Sequence, residues 1–303
     1  MAWADDGFPA SDITLVVPFG AGGATNVLFR DIAEYAQDYL DTPIVTVNMA
    51  GSGATRGSQF VKNAQPDGLT LLGSHQTIDL SYFAGLADYS HHAFSPVALL
   101  TRTVNIPATY AKHDAKQASD IVTLVNERPG ELRFGVIASS TDHFFWLHFF
   151  HQANIPVDAI EIVHYPDTGS QVEALLAGEI DFSMLNLPAA GRLFEAKALT
   201  PLGVAGEQRL TSLPAVPTLK EQGINLVNTT DRGLFAPPGT PATVLKLLAE
   251  AFGQAVQNPE VANRIERAHG SLVDYRPLDD YARYLDDQHA VLQSLTEEIA
   301  FSR

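Results

Sequence analysis

Apolar residues fall in short blocks, each followed by a glycine-rich or polar turn and then by a longer stretch with helical spacing. Ile13 to Val17 reads as a strand and Val27 to Leu40 as a helix. The pair repeats at Ile44 to Val47 with Arg56 to Asn63, and at Leu69 to Gly73 with Ile78 to Leu86. This rhythm predicts βαβ units and a parallel sheet with helices on both faces. A second series starts after an apolar run at Pro96 to Leu100. It predicts helices at Ala118 to Asn126, His143 to His151 and Ser170 to Ala177, and strands at Leu132 to Ile137, Ile160 to Val163, Ile180 to Met184 and Leu202 to Ala205. Pro and Gly punctuate Asp231 to Pro241, and helices are predicted at Ala242 to Val256, Pro259 to Ala268 and Leu278 to Phe301.

The most informative segment is Val16-Val17-Pro18-Phe19-Gly20-Ala21-Gly22-Gly23-Ala24-Thr25-Asn26, where a strand runs through glycines into a helix. Glycines let the backbone approach a ligand, and the unpaired N–H groups of a helix start, at its positive dipole end, favour a carboxylate or phosphate. A tight strand-to-helix turn would use the same residues. The second strand ends in a similar loop, Asn48 to Gly57. Two such loops at the ends of consecutive parallel strands face one crevice, where ligands of open α/β sheets bind. A dinucleotide is rejected, because Thr25 stands where the fingerprint needs its third glycine and the second strand ends without a carboxylate. No Gly-Lys-Ser/Thr follows either cluster, so a P-loop is rejected too.

These residues resemble the periplasmic solute receptors of tripartite tricarboxylate transporters, the Bug-type binding proteins. The resemblance rests on Val16-Val17-Pro18-Phe19-x-x-Gly22-Gly23, Arg30, Asn48-x-x-Gly51-x-Gly53 and Gln65-Pro66-Asp67-Gly68-Leu69-Thr70-Leu71-Leu72. It continues through Phe94 to Leu100, His164-Tyr165-Pro166, Leu175 to Asp181, Leu213 to Thr218 and Gly233 to Pro241. It implies a two-lobed periplasmic-binding-protein fold of the Venus-flytrap kind, with two mostly parallel sheets flanked by helices. Lobe 1 would comprise 1–102 plus 231–303 and lobe 2 would comprise 103–230, with crossings near Leu100 to Val104 and Asn228 to Leu234.

The resemblance further implies a receptor that holds a small carboxylate in an interlobe cleft and delivers it to membrane permease subunits. The carboxylate would be a dicarboxylate, a tricarboxylate or an aromatic acid. In the family the first-lobe loops grip one carboxylate end, which carries over to Phe19, Ala24, Thr25, Asn26, Ala54, Thr55 and Arg56. Polar residues after other strands, namely Gln76, Ser140, Thr141, Thr168, Ser170 and Asn186, are further candidate contacts. Each taken singly also suits a helix N-cap. The chain departs from the family at Asn26, where Asp is usual, at Ala50-Gly51-Ser52-Gly53-Ala54, and at Arg56, where an aliphatic residue is usual. These departures bear on ligand identity rather than on fold. Alternatives from other classes are a periplasmic ligand-sensing domain feeding a membrane sensor kinase, and a hydrolase using the His143 region.

Composition narrows the rest. At 303 residues with 46% hydrophobic content, the chain can bury real cores. A formal net charge of −16 argues against nucleic acid and anionic membranes as partners. Fixed dipoles at helix starts can still bind an anion. With no cysteine, thiol catalysis and disulfides are excluded. No Gly-x-Ser-x-Gly elbow occurs, and neighbouring Ser139, Ser140, Asp142 and His143 do not of themselves form a triad. His148 and His151 lie on an aromatic helix that reads as a packing element, and His91-His92 reads as a solvated turn. No catalytic residue, metal ligand or cofactor is therefore expected. The first residues lack the basic and apolar regions of a complete secretory signal, and Ala2-Trp3-Ala4 suits a cleavage remnant of a periplasmic, monomeric protein.

Overall fold

The computed structural model describes residues 8, 9 and 11–298. The reading of Ala2-Trp3-Ala4 and the predicted end of the last helix at Phe301 lie outside them. Cα packing divides the described residues into two units, one holding those up to Arg102 with Asp231–Ser294, the other holding Thr103–Thr230 with 295–298.

The first unit is built on a six-stranded sheet. Its strands are β1 (Ile13–Val17), β2 (Ile44–Asn48), β3 (Thr70–Ser74), β4 (Ser95–Val104), β10 (Thr229–Ala236) and β11 (Ser271–Pro277), in the order β11-β4-β10-β3-β1-β2. β1 pairs in parallel with β2 and β3, while β10 runs antiparallel to β3. Helices α1 (Ala24–Leu40), α2 (Thr55–Lys62) and α3 (Thr77–Phe83) follow the first three strands, and α8 (Ala242–Gln257), α9 (Pro259–His269) and α10 (Leu278–Glu298) come after the chain returns.

Alternation along the strands decides which face each residue covers. Ile13, Leu15, Val17, Leu71, Leu100, Leu234 and Ala236 pack with Phe29 and Ile32 of α1 and Leu248 and Phe252 of α8. Their neighbours Val16, Leu72, Leu99 and Phe235 pack instead with Val61, Ile78 and Tyr281, from α2, α3 and α10. Both faces are buried, which is why β1 and the Val97 to Leu100 stretch of β4 read as unbroken apolar runs.

The second unit carries a five-stranded sheet. It orders β7 (Glu161–His164), β6 (Arg133–Val136), β8 (Phe182–Leu185), β5 (Ile106–Tyr110) and β9 (Leu199–Pro201). β6 is parallel to β7 and β8, and β5 is antiparallel to β8 and β9. Between them run α4 (Ala118–Glu127), α5 (Thr141–Gln152), α6 (Thr168–Ala177) and α7 (Leu187–Glu195). In α5 the residues Phe144, Phe145, Trp146, Phe149 and Phe150 are all buried. Trp146 and Phe150 meet Phe134 of β6 edge-on, with ring centroids 4.8 Å apart in both pairs. Each sheet is thus mixed, three parallel strands flanked on one side by an antiparallel neighbour, β10 in the first and β5 in the second.

One predicted strand is corrected. Leu202 to Ala205 forms no strand; the short β9 precedes it, and beyond it only Val204 makes an isolated bridge to Thr218. Leu202, Val204 and Ala205 are fully buried, so their apolar character reports burial. Strands β5, β10 and β11 and helix α7 were not predicted from the pattern.

Candidate functional site

Parallel pairing of β1 and β2 sets Val17 beside Asn48, so the two glycine loops leave the sheet side by side. They are tied together by side chains. Gly22 N–H donates to Asn26 Oδ1 at 3.0 Å, Asn26 Nδ2 donates to Asn48 Oδ1 at 3.0 Å, and Asn48 Nδ2 donates to the Phe19 carbonyl at 2.9 Å. Asn26, 1% exposed, is therefore a tie between the loops. Gly22 adopts φ +79°, a left-handed conformation that favours glycine. Gly57 permits close approach of α2, since a Cβ there would stand 2.8 Å from Pro18 Cβ.

The two helices entered from these loops begin alike. No side chain caps α1 at Gly23 or α2 at Ala54, and neither first turn carries an acidic residue. Ala54 is itself left-handed, with φ +70°, and Thr55 Oγ1 donates back to the Ser52 carbonyl at 2.8 Å. The positive ends of both dipoles are left for an anion. Ala24 is half-exposed at the start of α1. Arg56 is exposed at the start of α2, with its methylene stem over Gly51.

A residue from far along the chain completes this corner. Arg232 of β10 is 3% exposed, and its Nε donates to Thr25 Oγ1 at 2.9 Å. Burial lowers its pKa to about 10, partly offset by Asp231, so the guanidinium remains charged at neutral pH. His75, also buried, is held well below its ordinary range by desolvation and then by the Arg232 charge. It is neutral, and its ring stacks on Phe19 at 4.6 Å and 5°. Gln76 Oε1 accepts the Asp231 N–H at 3.1 Å, which fixes the strand that carries Arg232. The fixed positive charge beside the α1 loop is therefore Arg232.

Asp231 points into a different group. Arg102 Nε donates to its Oδ1 at 3.0 Å, the Tyr284 hydroxyl donates to its Oδ2, and the Arg102 and Arg276 guanidinium groups stand over the Tyr284 ring.

The second unit's candidates are mostly engaged with their own backbone. Ser140 Oγ lies within hydrogen-bond distance of the Ile137 carbonyl and of Asp142 Oδ1. Asp142 Oδ2 accepts from the Ile137 N–H at 3.0 Å and from Gln171 Nε2 at 2.6 Å, and Gln171 in turn accepts from Ser183 Oγ. Burial raises the Asp142 carboxyl to about 6 against these hydrogen bonds. Thr141 is the first residue of α5 and Thr168 the first of α6. Asp167 caps α6, accepting from the Ser170 N–H at 2.8 Å and the Ser170 hydroxyl at 3.1 Å, so a carboxylate already fills that helix start. Asn186 caps α7 by accepting the Ala189 N–H at 3.2 Å. The two units thus differ: the first presents two uncapped helix starts, that of α1 beside a buried cation, and the second satisfies α6 and α7 internally.

A sequence profile described as the tripartite tricarboxylate transporter family receptor matches residues 28–301. The chain belongs to this family. It is 31% identical over 271 residues to the UPF0065 protein in the gbd 5′ region of Cupriavidus necator, covering 84% of this chain and 77% of that one. Among solved structures, it is similar to one described as a periplasmic transporter, at 26% identity and TM-score 0.87, covering 97% of this chain and 99% of the other. It is also similar to MatC from Rhodopseudomonas palustris with bound malate, at 26% identity and TM-score 0.81, covering 96% and 98%. The similar structures are two-lobed periplasmic binding proteins, and the loop corner of the first unit of this chain brings two uncapped helix starts and a buried guanidinium to one sheet end.

Proposed function

We propose that this chain is a periplasmic solute receptor that binds a small carboxylate and presents it to the permease subunits of its transporter, with no chemistry of its own. The observation that carries the reading is the pairing of two uncapped, acid-free helix starts with the buried guanidinium of Arg232. One carboxylate end is received by backbone amides of the Phe19 to Asn26 loop and of Ala54 to Arg56. Arg232 raises the local positive potential without entering solvent, which matters in a protein whose net charge is −16. Asn26 supports the same end by holding Gly22 and Asn48 in place. Thr168, Ser170 and Asn186 have a weaker claim, because their helix starts are occupied by Asp167 and by Asn186 itself.

The malate complex of the MatC relative makes short dicarboxylates the first ligands to try. A thermal-shift screen over mono-, di- and tricarboxylates and aromatic acids tests the proposal. A ligand present at about 100 times its dissociation constant, binding only the folded state, stabilises by about 2.7 kcal/mol. Stabilisation by a carboxylate, with the ligand recovered unchanged, is the expected result. Turnover of the ligand would overturn it, as would an unresponsive protein across the whole panel.

A further inference from the structure

A second polar cluster lies in the first unit and shares no residue with the loop corner. Its parts come from three places: Asp79 in α3, His91 and His92 in the 3-10 turn His91–Ala93, and Asp286 and His289 three residues apart on α10. One ring nitrogen each from His91, His92 and His289 lie within 4.8 Å of one another. Asp286 Oδ1 stands 3.2 Å from His91 Nε2 and 3.1 Å from His92 Nε2. The edge of a tetrahedron around zinc, with bonds of 2.0–2.2 Å, is about 3.3 Å. Two donor pairs, His91 and His92 each with Asp286, have that spacing, and the three imidazole nitrogens, within 4.8 Å of one another, lie close enough to draw onto one ion.

The supporting contacts orient the donors. Asp79 Oδ2 lies 2.9 Å from His91 Nδ1, and Ser90 Oγ lies 3.0 Å from His92 Nδ1, which turns both Nε2 atoms toward Asp286. Asp79 Oδ1 stands 3.3 Å from His289 Nδ1, a buried ring nitrogen with no hydrogen-bond partner among the described residues. Carboxylate and hydroxyl partners behind ligand imidazoles are the usual outer shell of a zinc site. Asp79, His91 and His289 form a floor with side chains 3%, 4% and 16% exposed. His92 and Asp286, both 61% exposed, form a rim through which an ion enters.

We propose that His91, His92, His289 and Asp286 bind a divalent transition metal of the zinc class, clamping α10 to the 3-10 turn. Imidazole and carboxylate donors suit zinc, and also cobalt, nickel and copper, better than calcium or magnesium. The ion serves the fold rather than the carboxylate, so this inference stands apart from the receptor reading.

The full chain, stripped with chelator and dialysed, is titrated calorimetrically with zinc chloride and, in parallel, spectroscopically with cobalt chloride. One equivalent of zinc, a raised thermal midpoint and the visible absorption bands of tetrahedral cobalt are expected. His92→Ala and Asp286→Asn alter exposed side chains, so the metal-free variants should fold with midpoints close to the parent. Each should weaken zinc binding more than about 10-fold, since even outer-shell partners are worth 10–100-fold. The double variant should lose the cobalt bands, while His164→Ala, an exposed histidine elsewhere, should change neither. Absence of saturable binding would overturn the proposal, leaving a cluster held by protons alone; so would zinc binding that survives in the double variant.

Discussion

Arg232 and Thr25 lie 207 positions apart in the chain and are joined by a buried 2.9 Å hydrogen bond from the guanidinium to the hydroxyl. The contact ties the strand that brings the chain back into the first unit to the first turn of the helix that follows the glycine loop. Arg232→Met should separate charge from folding. Affinity for the carboxylate should fall about 10–100-fold, the effect of losing a favourable charged partner worth about 1.5–3 kcal/mol. Stability should be unchanged or slightly higher, because a buried charge carries a desolvation cost that Met lacks. Arg232→Lys should recover part of the affinity. Calorimetry beside circular dichroism decides it, and a folded Met variant that binds as tightly as the parent would remove Arg232 from the site.

Asn26 tests whether loop geometry or local charge sets affinity. In Asn26→Asp the Gly22 N–H keeps its acceptor, but the donor to Asn48 Oδ1 is lost and two oxygens face each other. The new carboxylate also sits in the first turn of α1, where it favours the helix and opposes an anionic ligand. Binding should therefore weaken more than stability, by at least about 10-fold, with a midpoint change of only a few degrees. Equal losses in both would mean that Asn26 acts through the fold alone.

Asp231 sits beside Arg232 yet serves the frame. Removing its carboxylate in Asp231→Ala takes one hydrogen bond from the Arg102 guanidinium, which keeps Asp274 at 3.5 Å, and takes the acceptor of the largely buried Tyr284 hydroxyl. The cost should be about 3 kcal/mol, the scale on which breaking one side of a buried pair destabilises. Asp231→Asn should cost less, because its carbonyl oxygen can still accept one of the two bonds. Urea denaturation followed by tryptophan and tyrosine fluorescence measures both, and an Ala variant within about 0.5 kcal/mol of the parent, the scale of a neutral surface change, would show the network to be energetically idle.

The β1-α1-β2-α2-β3 series was legible in the sequence because β1 and β3 are buried, the edge strand β2 keeps a β-branched Ile-Val-Thr-Val run, and each turn needs glycine. Ile13 to Val17, Gly22 and Gly57 leave little choice of local structure. β10 was hidden because Asp231 and Arg232 stand inside it, and charged residues read as surface until their partners are known. β11 carries Asp274 and Arg276, which pair with each other along one edge strand, and α7 opens with Pro188. The same limit applies to function. Glycine loops announce themselves locally, whereas Arg232 with Thr25, or His91 and His92 with His289, meet only after the sheet has formed.

Helix α5 should give the protein an acid response with two opposed components. Burial raises the Asp142 carboxyl from its ordinary 3.8 to about 6. Between those values the folded state holds a proton that the unfolded chain has released, so acidification through this window stabilises. His143 and His148 are both lowered to about 4, by burial first and then by His164 and His151 respectively. Their unfolded forms take up protons below about 6.5. The folded state resists until about 4, so acidification through that window destabilises. Two histidines oppose one carboxyl, and the contribution of α5 should be a net loss of stability from pH 6.5 toward 4. Thermal midpoints at pH 7, 6 and 5 should fall more steeply in Asp142→Asn, which removes the stabilising component, and less steeply in His148→Phe, which removes one destabilising component and fills an aromatic-lined position. Comparing slopes between variants cancels the titration of every other group. A parent and Asp142→Asn pair with superimposable pH profiles would show that the Asp142 carboxyl is not shifted by its burial.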